Sequence, residues 1–441
     1  MGLSAAPLGS RVRKMQRLGL TLVVITGIFN YFDRVALSFA NPLIRKDLHL
    51  SMGQMGLLFS AFFWSYAFAQ LPMGALIDRI GSRVLLAVGV CFWSVAQGFT
   101  GMVNSLSAFL GLRVALGIGE TPQQPASARM VQDWFNIKDR GLASGIFVAN
   151  MNVGAVIAPP ILTGVMLVFG WRWLFGGLGI VGVLIAVLWY ACYRDPAQVS
   201  LTDEEREYLV RGDPQTTRKR MNLGEWGRLF RHRTTWGMMI GFFGVIYLDW
   251  LFRAWLPGYL ESEHHLSIKL TGWIACIPFI FAGIGNVSGG WFADRLYARG
   301  VSAVNSRKTG IVGGVFLFAA STAGAALTHS TIMALTFVTV GIFFGGVAIA
   351  NAWALTSVAA PANGVASLAG IQNFGGQLGG AFAPLITGYS VQATHSFTFA
   401  FMLGAVIGLV SAIACLILVR DPIPPETISS GTLAAVSTGN P

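Results

Sequence analysis

Long apolar stretches recur along the whole 441-residue chain, and each is long enough to cross a lipid bilayer. A membrane-spanning helix needs about 20 mainly apolar residues. Twelve such stretches can be read, at 17–40, 53–77, 84–103, 106–130, 141–168, 171–193, 236–260, 271–293, 309–328, 330–357, 364–392 and 396–419. Because the bilayer core offers the backbone no water, each stretch must be helical. The sequence therefore predicts an all-α integral membrane protein with twelve transmembrane helices.

The composition agrees with this prediction and excludes other classes of protein. Hydrophobic residues make up 54% of the chain and charged residues only 11%, whereas soluble proteins carry about 25% charged residues. A soluble enzyme and an intrinsically disordered chain are therefore excluded. The first stretch is too long for a cleavable signal peptide, carries Asp33 and Arg34, and lacks a small-residue cleavage site after it.

Basic residues divide unequally between the two sides of the predicted membrane. The N-terminus, the loops after even-numbered stretches and the C-terminus hold 22 of the 30 Lys and Arg residues, while the opposite loops hold four. Because cytoplasmic loops are the basic ones, we expect both termini in the cytoplasm, at a bacterial inner membrane. The net charge of +11 then reflects orientation. The basic run Arg218-Lys219-Arg220 is more typical of contact with anionic lipid than of nucleic-acid binding.

The longest connection, 194–235, separates two halves that repeat each other. The pattern Gly-x-x-x-Asp-Arg at 74–79 returns at 290–295, and Arg-Asp-Pro at 194–196 returns at 420–422. This duplication predicts two six-helix bundles, joined by a cytoplasmic linker and followed by a cytoplasmic tail. The predicted limits are 1–193 and 236–420 for the bundles, 194–235 for the linker and 421–441 for the tail. In the linker, Thr202-Asp203-Glu204-Glu205 fits a helix-capping box.

The repeated Gly-x-x-x-Asp-Arg motif predicts a gate at the cytoplasmic ends of the helices. Its glycine lets helices approach closely, and its charged side chains can pair with a neighbouring helix while that side is closed. A static anchor of the loop is the alternative interpretation. The candidate gating residues are Asp78, Arg79, Arg83, Asp294 and Arg295.

These features resemble those of the major facilitator superfamily, and shorter motifs narrow the resemblance to its anion:cation symporter family. The motifs are Asn30-Tyr31-Phe32-Asp33-Arg34, Tyr66-x-x-x-Gln70-x-Pro72-x-Gly74, Arg113-x-x-x-Gly117-x-x-Glu120, Trp255-Leu256-Pro257-x-Tyr259-Leu260 and Gly370-Ile371-x-Asn373-Phe374-Gly375-Gly376. The resemblance implies alternating access of a site near the membrane midplane. It implies uptake of a small organic anion, such as a sugar acid, an aromatic acid or a dicarboxylate, together with protons. It also implies that Arg34 binds the substrate carboxylate and that Asp33 takes part in proton coupling.

Ionisable residues within the predicted helices are costly to bury and are therefore candidate functional residues. There are seven: Asp33, Arg34, Arg113, Glu120, Arg129, Asp249 and Arg253. Adjacent residues of a helix point about 100° apart, so Asp33 and Arg34 are predicted to face different partners. Arginine stays charged when desolvated and binds a carboxylate through two parallel hydrogen bonds, which favours Arg34 as the anion site.

Arg113 and Glu120 lie seven residues apart, and therefore on one face of the fourth stretch. A glutamate near mid-membrane is neutral when protonated and needs a cation when ionised, which is the behaviour required of a proton-coupling group. The alternative is a permanent structural ion pair of Glu120 with Arg113 or Arg34. The resemblance favours Glu120 as the proton carrier, with Arg113 beside it.

Asp249 and Arg253 are spaced i, i+4 in the seventh stretch, where the resembling family usually has uncharged residues. They are predicted either to neutralise each other or to leave Arg253 as a second carboxylate site. An organophosphate or organic-anion antiporter that uses Arg34 and Arg253 is the alternative function.

Uncharged residues that can line a cavity complete the predicted substrate site: Tyr31, Tyr66, Gln70, Trp353 and Asn373. An interhelical contact is the alternative role for each of them. Val148 and Met151 stand where relatives often carry polar residues, which favours an acid less polar than a sugar acid.

Other sites and mechanisms lack support in the sequence. The four cysteines are far apart, and the six histidines show no metal-ligand spacing. The sequence contains no Walker motif, no nucleophile–base constellation typical of an enzyme, and no polar stripe typical of a channel. We therefore predict a monomeric secondary transporter with no metal, cofactor or nucleic-acid partner.

Overall fold

The protein is represented by a computed structural model, which describes residues 10–210, 227–361 and 364–424. These residues form helices joined by short connections, with no β-strand among them, so the all-α prediction is confirmed. The helices are α1 (Ser10–Leu48), α2 (Met52–Ile80), α3 (Ser82–Thr100), α4 (Leu106–Glu120), α5 (Gln123–Trp134), α6 (Arg140–Cys192), α7 (Asp203–Val210), α8 (Arg233–Ser262), α9 (Ile268–Ile274), α10 (Cys276–Ala298), α11 (Ala303–Leu327), α12 (Thr331–Ala359), α13 (Val365–Thr394) and α14 (Phe397–Leu418).

Eight helical stretches in the described part of the chain are apolar and long enough to span a bilayer. Helix α6 accounts for two of the twelve predicted spans, because its 53 residues divide at Gly170, whose φ of 80° and ψ of 166° are not helical. Glycine adopts such a positive φ without the clash that a Cβ would cause. The turn between the fifth and sixth spans is thus concentrated at one residue.

The predicted fourth span, 106–130, is not one continuous helix, which corrects the sequence interpretation. Helix α4 ends at Glu120, and Thr121 and Pro122 separate it from α5. Pro122 has no N–H to donate to a carbonyl one turn earlier, and the Thr121 N–H instead donates to the Ile118 carbonyl over 3.3 Å. Glu120 therefore ends a helix rather than lying in the middle of one.

The predicted eighth span, 271–293, is likewise divided, at Ala275 between α9 and α10. Proline accounts for this break as well, since Pro278 can donate no hydrogen bond to the carbonyl of Ile274. Taken together, α9 and α10 form one of the eight apolar stretches, Ile268–Ala298.

The chain divides into two compact units, the first of which is formed by Met1–Leu50 and Ala61–Thr216. In this unit α6 packs against both α1 and α3, and α3 packs against α4. The packing is close, because a Cβ on Gly154 of α6 would lie only 2.8 Å from the Cβ of Tyr31 on α1. Small residues at such contacts let membrane helices approach each other tightly.

The second unit is formed by Ser51–Ser60 and Thr217–Pro441. Here α12 packs on α10 and α11, and α8 packs on α13 and α14. The first residues of α2 belong to this unit, where the Gly53 N–H donates to Gln392 Oε1 over 3.0 Å. Helix α2 thus contributes its first residues to one unit and the rest to the other.

The described part of the linker contains helix α7, which begins as the sequence predicts. The Thr202 N–H donates to Glu205 Oε2 over 3.1 Å, and the Glu205 N–H donates to Thr202 Oγ1 over 3.3 Å, so the capping box is confirmed. Further along α7, the Tyr208 hydroxyl donates to Asp139 Oδ2 over 2.9 Å. Burial and this carboxylate both raise the pKa of Tyr208. The start of the linker is thus fixed to the first unit.

Some predicted segments extend beyond the described residues. The linker between residues 210 and 227, with its basic run Arg218-Lys219-Arg220, lies outside them, as does the tail beyond residue 424. The unit boundary after Thr216 falls within the predicted linker. The predicted limits of the two bundles, the linker and the tail stay predictions.

Candidate functional site

A buried ion pair joins α1 and α4 in the first unit. Arg34 Nε donates to Glu120 Oε2 over 2.7 Å, and the two side chains are only 8% and 0% exposed. Charge-assisted hydrogen bonds are roughly twice as strong as neutral ones. Removing either partner would leave an uncompensated charge away from water. The charged form of each residue therefore depends on the other.

Aromatic rings of α2 lie against the guanidinium of Arg34. Its Cζ is 5.4 Å from the centroid of the Phe62 ring and 4.9 Å from that of the Tyr66 ring. Arg113 Cζ lies 5.2 Å from the same Phe62 ring. Aromatic faces attract cations at such distances, so these rings help to hold both arginines in place. Arg34 Nη2 has no hydrogen-bond partner among the described residues.

Two glycines and the helix break determine where Glu120 lies. A Cβ on Gly117 would lie 2.5 Å from the Phe62 carbonyl oxygen, so only glycine lets α4 approach α2 this closely. A Cβ on Gly119 would lie 2.8 Å from the Cβ of Trp93 on α3. The run Gly-x-Gly-Glu thus places the carboxylate at the end of α4, close to both neighbouring helices.

Asp33 faces α3. Trp93 Nε1 donates to Asp33 Oδ2 over 3.0 Å, and Gln97 Nε2 donates to the main-chain oxygen of Asp33 over 3.2 Å. All three side chains are buried. Asp33 also interacts electrostatically with Glu120 and Arg113. Adjacent residues of α1 therefore have different partners, as helical geometry predicts.

The uncharged residues predicted in the first unit lie on α1 and α2. Tyr66 is buried and in contact with the Arg34 guanidinium. Tyr31 is buried where α1 meets Gly154 of α6. Gln70 is half-buried one turn beyond Tyr66. Tyr66 is thus in contact with Arg34, and the substrate-binding role of all three residues stays a prediction.

In the second unit, Asp249 and Arg253 form the i, i+4 ion pair that their spacing allows. Arg253 Nε donates to Asp249 Oδ2 over 2.5 Å, and the side chains are 12% and 9% exposed. Arg253 Cζ also lies 5.0 Å from the Phe279 ring of α10. The pair that the spacing predicts is thus present, and the choice between mutual neutralisation and a second carboxylate site at Arg253 stays a prediction.

The other two predicted substrate residues also lie in the second unit. Trp353 is 46% exposed, and its ring meets that of Phe242 edge-on with centroids 5.7 Å apart. Asn373 is half-buried, and its Oδ1 accepts from Gln377 Nε2 over 3.5 Å. Both residues therefore keep part of their surface accessible.

The first copy of the gating motif is anchored within its own unit. Arg83 Nε and Nη2 donate to the Tyr190 carbonyl over 3.1 and 2.9 Å, and its Cζ lies 4.4 Å from the Tyr190 ring. Arg83 Nη1 donates to Gln198 Oε1 over 3.3 Å. Arg79 is exposed, and the side chain of Asp78 lies outside what the structure describes. These contacts fit the anchoring interpretation of Arg83.

The second copy of the motif makes contacts with its own helix and with the next one. Asp294 Oδ1 accepts from Arg307 Nη2 of α11 over 2.6 Å. Arg295 Cζ lies 5.1 Å from the Trp291 ring, one turn earlier on α10. The gating role of all five residues stays a prediction.

The charged residues Asp33, Arg34, Arg113 and Glu120, together with the side chains that contact them, are called the buried cluster below. Sequence reasoning missed two of its residues, Phe62 and Trp93. Phe62 precedes Tyr66 by one turn and reads as an ordinary apolar residue. Trp93 precedes Gln97 by one turn, and this pair of hydrogen-bond donors inside an apolar stretch is the signal that marks it. Both act through helix packing, which a single sequence does not reveal.

The chemistry available to the cluster follows from its groups. It combines two arginines with two carboxylates, so it can bind an anion and hold a proton. Throughout the described ranges, no group of three or more His, Cys, Asp or Glu side chains could hold a metal ion.

Comparison with protein families identifies the fold. A family model described as Major Facilitator Superfamily matches residues 23–384 and 249–438. The chain belongs to this superfamily. It is accordingly a multi-pass membrane transporter and not an enzyme. The two-bundle, all-helical fold predicted from the duplication is thereby confirmed.

Individual relatives show which members of the superfamily the chain is similar to. The chain is 40% identical over 414 residues to the probable L-galactonate transporter of Escherichia coli strain K12, covering 94% of this chain and 91% of that protein. It is 32% identical over 414 residues to the D-galactonate transporter of Escherichia coli O6:H1 strain CFT073, covering 92% and 95%. These relatives confirm the resemblance to the anion:cation symporter type.

A solved structure shares the fold. The crystal structure of a bacterial homolog of the human lysosomal transporter Spinster, inward-facing and unoccupied, superposes with a TM-score of 0.75 at 18% identity. The match covers 93% of this chain and 99% of that one. At this identity the likeness concerns the fold alone.

Proposed function

We propose that this protein is a proton-coupled symporter that takes up a small organic anion by alternating access, with both termini in the cytoplasm. The names of the two galactonate transporters support a sugar acid as the substrate. Val148 and Met151 favour a less polar acid, but two relatives matched over nine-tenths of the chain weigh more than two positions.

The buried Arg34–Glu120 pair is the observation that carries this proposal. While Glu120 is ionised, it neutralises Arg34 and accepts its hydrogen bond. Once Glu120 takes up a proton, Arg34 is left with an uncompensated charge, which is costly in a buried site. A substrate carboxylate restores the balance by binding the guanidinium. Anion and proton are therefore favoured to bind together and to leave together.

The remaining predicted residues have supporting roles in this cycle. Tyr66 orients the guanidinium, and Tyr31 and Gln70 of the same unit offer hydrogen bonds to the hydroxyl groups of a sugar acid. Trp353 and Asn373 of the second unit stay predicted substrate residues. Asp33 and Arg113 contribute to proton coupling through their electrostatic interaction with Glu120. The gating residues close the cytoplasmic side.

Uptake of labelled L-galactonate into proteoliposomes tests the proposal. The wild-type protein is expected to accumulate the anion when the outside is acidic, and to exchange it without a pH gradient. Glu120→Gln should keep exchange but lose accumulation, whereas Arg34→Ala should lose both. Asp133→Asn is the matched control, because Asp133 is paired with Arg129 over 2.8 Å outside the cluster. It should behave like the wild type.

Accumulation by Glu120→Gln against a concentration gradient would contradict this assignment of the proton carrier. Proteoliposomes loaded with inorganic phosphate test the alternative antiporter. Asp249 beside Arg253 argues against a doubly charged phosphate, because the carboxylate would repel it. Rapid exchange with internal phosphate would favour the antiporter instead.

A further inference from the structure

The indole of Trp93 binds the carboxylate of Asp33, one of the two acidic residues of the buried cluster. Its Nε1 donates to Asp33 Oδ2 over 3.0 Å, and the whole side chain is 0% exposed. A Cβ on Gly119, which immediately precedes Glu120, would lie 2.8 Å from the Trp93 Cβ. Trp93 therefore bonds the carboxylate of α1 through its indole, and its backbone end packs against the end of α4.

The chemistry of indole makes this contact selective for one charge state. Indole N–H is a donor only, with no lone pair to accept a hydrogen bond. It stabilises a carboxylate more than a carboxylic acid, because hydrogen bonds to the charged form favour that form. Asp33 Oδ1 has no hydrogen-bond partner among the described residues. A proton arriving at Asp33 is thus directed to Oδ1, while Oδ2 stays with Trp93.

Other charged groups also act on Asp33. Glu120 and Arg113 approach from α4, and Arg34 is its neighbour on α1. From α3 come Trp93 and the amide of Gln97, which donates to the Asp33 main-chain oxygen. Charges of both signs therefore surround the Asp33 carboxylate in addition to the indole. The hydrogen bond from the indole to Asp33 differs from these interactions, because it can be removed without changing any charge near the carboxylate.

We propose that Trp93 is a positioning residue for proton coupling, which fixes the Asp33 carboxylate and sets the pH at which it accepts a proton. This role rests on the proposed symport. It predicts that losing the indole N–H makes Asp33 take up its proton at a higher pH. Losing a hydrogen bond to the charged carboxylate is expected to raise the pH at which Asp33 is half-protonated by about one pH unit or somewhat more.

The test is the pH profile of L-galactonate uptake by Trp93→Phe, which removes the N–H and keeps an aromatic ring. The midpoint of the profile should move up by about one pH unit, while exchange at equal pH on both sides persists. Trp171→Phe is the matched control, since Trp171 Nε1 donates to Asp47 Oδ2 over 2.9 Å away from the cluster. Its profile should coincide with that of the wild type.

A second variant separates the hydrogen bond from packing. Replacing the indole at position 93 by benzothiophene, through nonsense suppression, puts sulfur where the N–H is and preserves the shape. This variant should show the same upward shift. An unchanged midpoint for it, with a pH-dependent wild type, would overturn the role of Trp93 alone. Wild-type uptake that is independent of pH would refute the proton coupling and this role together.

Discussion

Replacing Arg34 by lysine keeps the positive charge and tests whether the planar guanidinium is what the site requires. Arg34 already uses Nε for Glu120, and its Nη2 has no partner among the described residues. The rings of Phe62 and Tyr66 lie against the guanidinium and hold it in position. An ammonium is a single point of charge, so it cannot hold a carboxylate through two parallel hydrogen bonds as a guanidinium does.

The expected loss of affinity follows from the hydrogen bonds involved. Losing one charge-assisted hydrogen bond to the substrate costs about 1.5–3 kcal/mol. Since about 1.4 kcal/mol is a tenfold change in Kd, Arg34→Lys should raise the Kd for L-galactonate roughly 10- to 100-fold. Calorimetric titration of the purified protein in detergent measures this directly. Proteoliposome uptake should show a matching rise in KM.

Arg129→Lys is the control, because Arg129 also pairs with an acid, Asp133, but its side chain is 40% exposed and lies outside the cluster. Its Kd should stay within about twofold of the wild-type value, since exposed ion pairs contribute little. If folded, monodisperse Arg34→Lys binds L-galactonate with a Kd within about threefold of the wild-type value, the site does not require the planar guanidinium.

Two further predictions concern the ion pair of α8 and the start of α3. Asp249→Asn should lower the melting temperature in detergent by several degrees, because it leaves the Arg253 charge without its carboxylate, and adding Arg253→Gln should restore much of the loss. If the double variant also keeps uptake, the pair is structural; a stable double variant without uptake would instead make Arg253 a substrate residue. Gly81→Ala should be destabilised by roughly 1–3 kcal/mol, because its φ of 88° and ψ of 158° are adopted readily only by glycine and a Cβ would lie 2.7 Å from Asp195 Oδ2. Gly300 has a φ of 92° but open space around a Cβ, so Gly300→Ala should lose less stability than Gly81→Ala. Equal losses of stability in thermal melts would show that the clash with Asp195 contributes nothing.

The apolar stretches predicted the fold because a bilayer leaves the backbone few alternatives. The motif around Asp33 and Arg34 likewise indicated the cluster, since an ionisable residue inside an apolar helix is rare enough to be conspicuous. Helical geometry predicted only that the two side chains have different partners, and the structure shows Asp33 bonded to Trp93 of α3 and Arg34 to Glu120 of α4.

What the sequence left open depends on contacts between segments distant along the chain. The ion pair of Glu120 with Arg34 depends on how closely the helices pack, including the approach of α4 to α2 that Gly117 permits. The break after Glu120 was available in the sequence as Pro122, but a proline within an apolar stretch kinks some helices and ends others. At Trp93 the sequence offered no signal beyond an indole N–H donor one turn before Gln97.

The pairing of buried charges has an electrical consequence. Arg34 and Arg113 balance Asp33 and Glu120 when both acids are ionised, and Arg253 balances Asp249, so these groups of the empty carrier carry no net charge. Under the proposed symport, a monovalent anion loaded with one proton leaves that sum at zero, and its translocation is indifferent to the membrane potential. A second proton, on Asp33, makes the loaded form singly positive, and each 100 mV then contributes about 2.3 kcal/mol to uptake. On this proposal, the response of uptake to voltage counts the protons carried with each anion.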